Sequence, residues 1–396
     1  MVINVGEDTT LKARIGWQGL TTSEYRDIGE YLLVTGTDFK NGFVDWDSCH
    51  FVDKIRYSQD KNIQLKNGDV VITKDGTIGK VGYIKNLKLP ATLNSGVFVI
   101  RPKKDAINTK LMYYIFTSKI FDDFLSKLTA GSTINHLYQK DFVNFEFEIP
   151  DDIDEQKNIA KALSDTDELI DSIQTLKEKK ENIKTGTMQQ LLTAKKRLDG
   201  FCEEWKEKTL GDIAIVIGGG TPSTTNNLFW NGHINWFTPT EIGFAKYVKK
   251  SVRKITQLGF MNSSAQILPE GTILLTSRAG IGSCSILLEK SATNQGFQSL
   301  IAKENTNNEF LYYLTKTLKN KLLEKASGST FLEISPSNVK SIDIVIPSKK
   351  EEQKAIANIL SDMDNEIETL TRKLEKTKAI KEAMMDELLT GNTRLI

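Results

Sequence analysis

The strongest constraint on this chain is a repeat held at one fixed distance. Asp154-Glu155-Gln156-Lys157-Asn158-Ile159-Ala160 recurs 197 residues later as Glu351-Glu352-Gln353-Lys354-Ala355-Ile356-Ala357. The same offset carries Leu163-Ser164-Asp165 onto Leu360-Ser361-Asp362, Leu191-Leu192-Thr193 onto Leu388-Leu389-Thr390, and Arg197-Leu198 onto Arg394-Leu395. A gapless match over about forty residues requires a shared structure whose length is itself constrained, and self-similarity on this scale sets the architecture before any local reading.

The segments ahead of these stretches correspond more loosely. Residues 68–73 match 271–276 at an offset of 203, Asn94-Ser95-Gly96 matches Asn294-Gln295-Gly296 at 200, and Tyr113-Tyr114 matches Tyr312-Tyr313 at 199. Gly131-Ser132-Thr133 then meets Gly328-Ser329-Thr330 back at 197. The drift puts insertions and deletions in loops while the scaffold persists. The chain thus reads as a duplication: a variable domain at 1–150, a constant helix at 151–200, a second variable domain at 201–347 and a second constant helix at 348–396.

The constant segments have the period of paired helices. Ile356, Leu360, Met363, Ile367, Leu370 and Leu374 step by 4 and 3 in turn and continue through Thr377 and Lys381 to Met384 and Leu388, an apolar seam of coiled-coil type. The first copy shows Ile159, Leu163, Thr166, Ile170 and Ile173, then Leu176, Ile183 and Leu191 in looser phase. Pro150 and Pro347 precede the helices and Gly200 and Gly391 follow them, suitable start and stop signals. Nearly forty residues at 1.5 Å each give a rod of roughly 55–60 Å. Two seams of equal length can bury each other, and antiparallel pairing would set the domains at opposite ends of the rod about a pseudo-two-fold axis. Otherwise each helix packs on its own domain.

Strand-like runs at 68–73, 97–100, 145–149, 273–276 and 342–346 mix with one helix per domain, at about 110–128 and 309–326. Strands and helices do not alternate cleanly, so the class expected is α+β. The paired tyrosines read as core and rim of that helix.

Charge is nearly balanced, with 52 Lys+Arg against 51 Asp+Glu, and the total argues for no particular partner. The domains are slightly positive (+1 and +3) and the helices slightly negative (−2 and −1), a direction that suits polyanion binding by the domains. Local clusters say more. Lys74, Lys80, Lys85 and Lys88 surround a glycine-containing turn, and Lys246, Lys249, Lys250, Arg253 and Lys254 form a denser run. Lys74-Asp75-Gly76-Thr77-Ile78-Gly79-Lys80 matches Ser277-Arg278-Ala279-Gly280-Ile281-Gly282-Ser283. Thr129-Ala130-Gly131-Ser132-Thr133-Ile134-Asn135-His136 matches Ala326-Ser327-Gly328-Ser329-Thr330-Phe331-Leu332-Glu333. Small residues allow close backbone approach, and the Lys, Arg, Ser, Thr and Asn donors suit phosphates and base edges. The candidate DNA-binding residues are therefore Lys74, Thr77, Lys80, Ser132, Thr133, Asn135, His136, Lys249, Lys250, Arg278, Ser283, Ser329 and Thr330. Ordinary turn chemistry is the alternative for any one of them.

No catalytic motif assembles. Gly79-Lys80 lacks the first glycine and the Ser/Thr of a phosphate-binding loop. Gly218-Gly219-Gly220-Thr221-Pro222-Ser223-Thr224 has neither dinucleotide nor nucleotide spacing. Pro150-Asp151 with Glu155-Gln156-Lys157 only superficially resembles a nuclease signature, since the spacing is too tight and the second copy has Pro347-Ser348. Three cysteines and three histidines give neither a disulfide framework nor a zinc spacing. The first eleven residues have no apolar targeting core, and no apolar run approaches the ~18 residues a bilayer needs, so a soluble, cytoplasmic protein is expected.

Taken together, these segments resemble the specificity (S) subunit of type I restriction–modification systems over essentially the full chain. The 155–165 and 388–395 segments look like that family's two conserved helices; Leu210-Gly211-Asp212-Ile213, Gly220-Thr221-Pro222-Ser223 and Asn294-Gln295-Gly296-Phe297 look like its target-recognition-domain motifs. The first domain departs from the pattern, since it lacks the Gly-Thr-Pro-Ser element. The resemblance implies two target-recognition domains, each reading one half of a bipartite double-stranded DNA site, separated by a long antiparallel two-helix coiled coil that fixes the spacing. It implies a subunit with no catalysis, metal or cofactor of its own. S-adenosylmethionine, ATP and Mg would then belong to partners: two modification (methyltransferase) subunits and the restriction (motor and nuclease) subunits. From another class, the duplicated domains could instead bind peptides at the ends of a coiled-coil scaffold.

Overall fold

The computed structural model describes residues 1–129, 136–278, 280–328 and 332–395, leaving aside the side chains of Trp17 and Thr129. The chain divides into two compact units, one formed by Met1–Gln174 with Arg372–Ile396 and the other by Thr175–Thr371. Each combines a globular α+β domain with one half of each of two long helices, Ile153–Leu191 and Lys350–Leu389.

The two domains share one strand plan, to which the first adds an edge strand. In the first, a six-stranded sheet runs in the order Thr9–Ala13, Val97–Pro102, Val70–Thr73, Val81–Tyr83, Phe43–Val44 and Phe39–Lys40. In the second, the order is Ala214–Gly218, Gln298–Ala302, Ile273–Leu275, Cys284–Leu287 and Tyr247–Val248. A three-stranded sheet accompanies each: His50–Val52, Tyr31–Val34 and Ala91–Leu93 in one, Arg253–Ile255, Trp230–Phe237 and Ser291–Thr293 in the other. The last pair within each three-stranded sheet is parallel. Val70-Val71-Ile72-Thr73 and Ile273-Leu274-Leu275 are buried throughout, as a run of apolar residues covered on both faces of a sheet must be.

The helix expected at 110–128 is two helices, Thr109–Phe116 and Lys119–Thr129, and its counterpart is Asn308–Thr317 followed by Lys319–Glu324. Hydroxyl groups cause the break. Ser118 Oγ donates to the Ile115 carbonyl at 2.7 Å and accepts from the Ile120 amide at 3.3 Å, so it ends one helix and opens the next. Thr315 and Thr317 bond back to Leu311 and Leu314 at 2.6 and 2.7 Å in the second domain. The tyrosine pairs lie in the core, as expected, with Tyr114 and Tyr313 almost wholly buried.

The fixed-offset residues explain themselves in side-chain contacts. Gln156 and Gln353 are buried at the starts of the long helices. Gln156 Oε1 accepts from the Asn108 amide at 2.8 Å, and its Nε2 donates to the carbonyls of Ala106 and Pro150. Gln353 repeats all three bonds with Asn307, Asn305 and Pro347. Each glutamine thereby ties a helix start to the cap of its domain helix, since Asn108 and Asn307 are the N-caps there. The neighbouring carboxylates, Glu155 and Glu352, are also buried, and each is held by two nitrogens of an arginine: Glu155 by Arg394, and Glu352 by Arg197 at 2.8 and 3.0 Å. Such a bidentate, charge-assisted pair is the arrangement that offsets the cost of burying a carboxylate.

The helices run antiparallel within each unit. In the first, Asp167 takes the Lys381 ammonium at 2.6 Å and the Tyr114 hydroxyl at 2.8 Å. In the second, Asp364 takes Lys184 and the Tyr313 hydroxyl. These are the same three positions with the two copies exchanged. Both packing modes weighed from the sequence therefore occur together: Ile159, Ala160 and Leu163 share one core with Leu388, Leu389 and the domain residues Phe147 and Tyr114, and Ile356, Ala357 and Leu360 share another with Leu191, Leu192 and Tyr313. In one respect the seam differs from expectation. Leu176 and Ile183 are 43% and 44% exposed, while Lys177, Lys180 and Lys184 hold the half-buried positions in strict phase with Ile173. Lys180 and Lys184 reach Glu366 and Asp364 of the opposite helix, so their stems pack and their charges pair.

Candidate functional site

At one end of each domain, loops from both sheets converge. In the first, strand Val70–Thr73 pairs antiparallel with Val97–Pro102, Thr73 opposite Val97, so the turn after one strand meets the turn before the other. The Lys74 amide donates to the Gly96 carbonyl at 2.9 Å, and the Leu137 amide donates to the Lys74 carbonyl at 2.7 Å. These two bonds bring residues 74–80, Asn94-Ser95-Gly96 and His136 together. The second domain repeats them: the Ser277 amide donates to the Gly296 carbonyl at 2.8 Å, and the Ile334 amide to the Ser277 carbonyl at 3.0 Å. Thr73 and Thr276 staple the glycine loops internally, their hydroxyls donating to the carbonyls of Thr77 at 2.5 Å and Gly280 at 2.7 Å. Gly76 and Gly79, with Gly280 and Gly282, have φ between +71° and +103°, a backbone that other residues adopt with strain.

Lys74, Thr77, Lys80, His136, Arg278 and Ser283 therefore lie on these two loop faces. Ser132, Thr133, Asn135, Ser329 and Thr330 fall outside the described residues. Lys249 and Lys250 stand elsewhere. They follow strand Tyr247–Val248, which aligns with Ile286 and Leu287, at the end of strand Cys284–Leu287 away from Ser283. Lys249 pairs with Glu289 at 3.1 Å. The dense basic run proves to be three environments. Lys246 is half-buried against Glu309, the Tyr313 hydroxyl and Ser361, and Arg253 lies 3.7 Å from the centre of the Trp230 ring. Lys85, likewise, covers the Phe43 ring at 3.3 Å.

Other residues join the faces without having been singled out. Thr35-Gly36-Thr37-Asp38 follows strand Tyr31–Val34, and the Asn94 amide donates to the Val34 carbonyl; Thr238-Pro239-Thr240-Glu241 follows Trp230–Phe237, and the Asn294 amide donates to the Phe237 carbonyl. In each loop the terminal carboxylate accepts from the first threonine's amide, at 2.7 and 2.8 Å. These segments recur at an offset of 203, the offset of the strands 68–73 and 271–276, and that match was the signal available. Thr221 and Gln295 are bonded side chain to side chain on the second face.

The Gly-Thr-Pro-Ser element and its absence from the first domain have one physical account. A Cβ on Gly219 would lie 1.9 Å from the Asn294 carbonyl and one on Gly220 2.3 Å from the Ala265 nitrogen, so bare backbone passes through, and the Gly220 amide donates to Thr293. In the first domain a buried guanidinium takes that place: Arg14 donates to the Leu93 carbonyl at 2.9 Å, the Thr92 hydroxyl at 3.2 Å, Gln59 and the Arg56 carbonyl.

Among the described residues, no group of three or more His, Cys, Asp or Glu side chains is placed to hold a metal ion, and no helix is long and apolar enough to cross a membrane. What the geometry defines is a duplicated module, each copy presenting one polar, glycine-shaped loop face. Comparison gives the family. The model of the type I restriction modification DNA specificity domain matches twice, at residues 19–182 and 202–379, and the chain belongs to that family. The specificity subunit of type I restriction enzyme MjaIX from Methanocaldococcus jannaschii is 41% identical over 177 residues, covering 44% of this chain and 41% of its own length, less than half of that relative. The putative MjaX specificity subunit of the same organism is 26% identical over 397 residues, covering 95% of this chain and 90% of its own. The crystal structure of a type I restriction–modification S subunit from M. genitalium shares the fold, with a TM-score of 0.63 at 16% identity, over 98% of this chain and 96% of that one. The peptide-binding scaffold considered from the sequence finds no support in these comparisons.

Proposed function

We propose that this chain is the DNA sequence-recognition subunit of a type I restriction–modification complex. Each globular domain reads one half of a bipartite site in double-stranded DNA, and the long helices set the spacing and receive two modification subunits. Restriction subunits complete the complex. Methyl transfer from S-adenosylmethionine, and ATP- and Mg-dependent translocation and cleavage, take place on those partners in the cytoplasm, and this chain supplies no catalytic group. The single observation that carries the proposal is the double family match laid over two domains whose polar loop clusters sit at equivalent places.

The test is methylome sequencing of cells that express the cognate modification subunit with and without this chain. A bipartite methylated motif that appears only with the chain is the expected result. No new motif, with both proteins expressed and associated, would remove the proposal.

A further inference from the structure

At matching places on the two loop faces a carboxylate meets a nitrogen-bearing side chain, with the two positions exchanged. Asp75 of the first domain meets His136; at the equivalent positions of the second, Arg278 meets Glu333 at 3.8 Å. Partly exposed pairs of this kind contribute little to stability. A carboxylate on a surface meant for phosphates is a cost to binding, and it is tolerated where it orients a cation.

The second pair is the more informative. Arg278 is the sole Lys or Arg in the loop segments 221–223, 238–241, 277–283, 294–296 and 332–334 that build that face. Its backbone is pinned, because the adjacent Ser277 is hydrogen-bonded on both sides, to Gly296 and to Ile334. Its side chain is laid in a slot. A Cβ on Gly296 would come 2.8 Å from Pro239 Cγ and only touch Arg278 Nε, at 3.5 Å, so the guanidinium lies against the Gly296 backbone beside Pro239. Glu333 lies within ion-pair distance of one guanidinium nitrogen but beyond hydrogen-bond reach, and the side chain is 33% exposed. An arginine fixed at its base and oriented from one side presents the fork that guanine O6 and N7 accept in the major groove.

We infer that Arg278 is a specificity-determining residue that reads a guanine in the half-site of the second domain, and that Glu333 is the positioning residue that aims it. The inference rests on the DNA-recognition reading above and deepens it. In the first domain the nitrogen-bearing side chain of the pair, His136, comes from the other loop, so the two faces do not present the same group from the same place, and the two half-sites differ.

The experiment uses the assembled complex with its modification subunit and reads the methylated motif of three chains: unaltered, Arg278→Gln and Glu333→Gln. With Arg278→Gln, one guanine of one half-site becomes degenerate, its preference over the other bases falling roughly ten- to a hundredfold, while the other half-site and the spacer stay as they were. With Glu333→Gln the same position relaxes, by a smaller factor. An Arg278→Gln motif as stringent at every base as the unaltered one overturns the inference and leaves DNA recognition standing; absence of any motif from the unaltered chain sinks the recognition reading itself. If Arg278→Gln abolishes methylation altogether, Glu333→Gln decides: full stringency at every base overturns the inference, and relaxation confined to one guanine upholds it.

Discussion

Arg14 shows how a single residue can stand in for a backbone motif. Its guanidinium is almost wholly buried and its donors are distributed over Leu93, Thr92, Gln59 and Arg56. Burial pushes its acidity in the direction of easier proton loss, with nearby Arg56 adding to this, so the bonds are what keep the charge in place. Arg14→Ala is expected to cost about 2–4 kcal/mol locally, because it orphans buried acceptors. With two units in one chain a single melting temperature is a poor measure. Faster hydrogen exchange at the amides of Ala91–Leu93, with the second domain unchanged, is the expected reading. The sequence showed that the glycine element was missing from the first domain; that an arginine replaces it could not be read, because the four partners lie between 42 and 79 residues away.

The long helices were the most legible elements, since a period of 3.5 survives any tertiary context, yet their phase was misread at Leu176 and Ile183. Apolar character pointed one way and register the other, and register prevailed because Lys180 and Lys184 find carboxylates on the opposite helix. Ile173→Ala is therefore expected to destabilise by about 2–4 kcal/mol, whereas Ile183→Gln should stay within about 0.5 kcal/mol. Hydrogen exchange at the amides flanking each position compares the two variants, since the sites lie in different compact units. The carboxylate latch adds a pH dependence. The Arg394 guanidinium holds the Glu155 carboxyl below its ordinary range. A carboxyl lowered on folding adds stability that is fully present above its unfolded value, about 4.3, and that stability is lost as pH falls through the lower folded value. The protection factors of amides at the end of Lys350–Leu389, taken relative to the unfolded chain at each pH, should fall on acidification below about pH 4, and Arg394→Gln should flatten that response. The domain helices were legible in position but not in continuity, since the hydroxyls that break them are short-range and unremarkable in composition.

On the scale of the whole molecule, each long helix begins in one compact unit and ends in the other. Adding seven residues after Gln174 and seven after Thr371 keeps the seam in register and lengthens each helix by roughly 10 Å. The unspecified spacer of the methylated motif is expected to grow by about three base pairs, with both half-sites unchanged; a motif of unaltered spacing would show that the helices do not set it. The duplication and the glycine loops were legible in the sequence, because spacing is preserved where backbone geometry is demanding. It could not sort the basic run that includes Lys246 and Lys249, because lysines that bind a neighbouring ring or carboxylate look the same in a sequence as lysines that face solvent.

The crossed latches have a consequence for heredity. Each takes its carboxylate from one copy of the repeat and its arginine from the other, Glu155 with Arg394 and Glu352 with Arg197. Because both copies put the same residues at the same positions, a crossover between the two copies of this repeat keeps a carboxylate opposite an arginine. The frame is a standard fitting, inherited twice in one chain, in which either copy supplies the half that the other lacks.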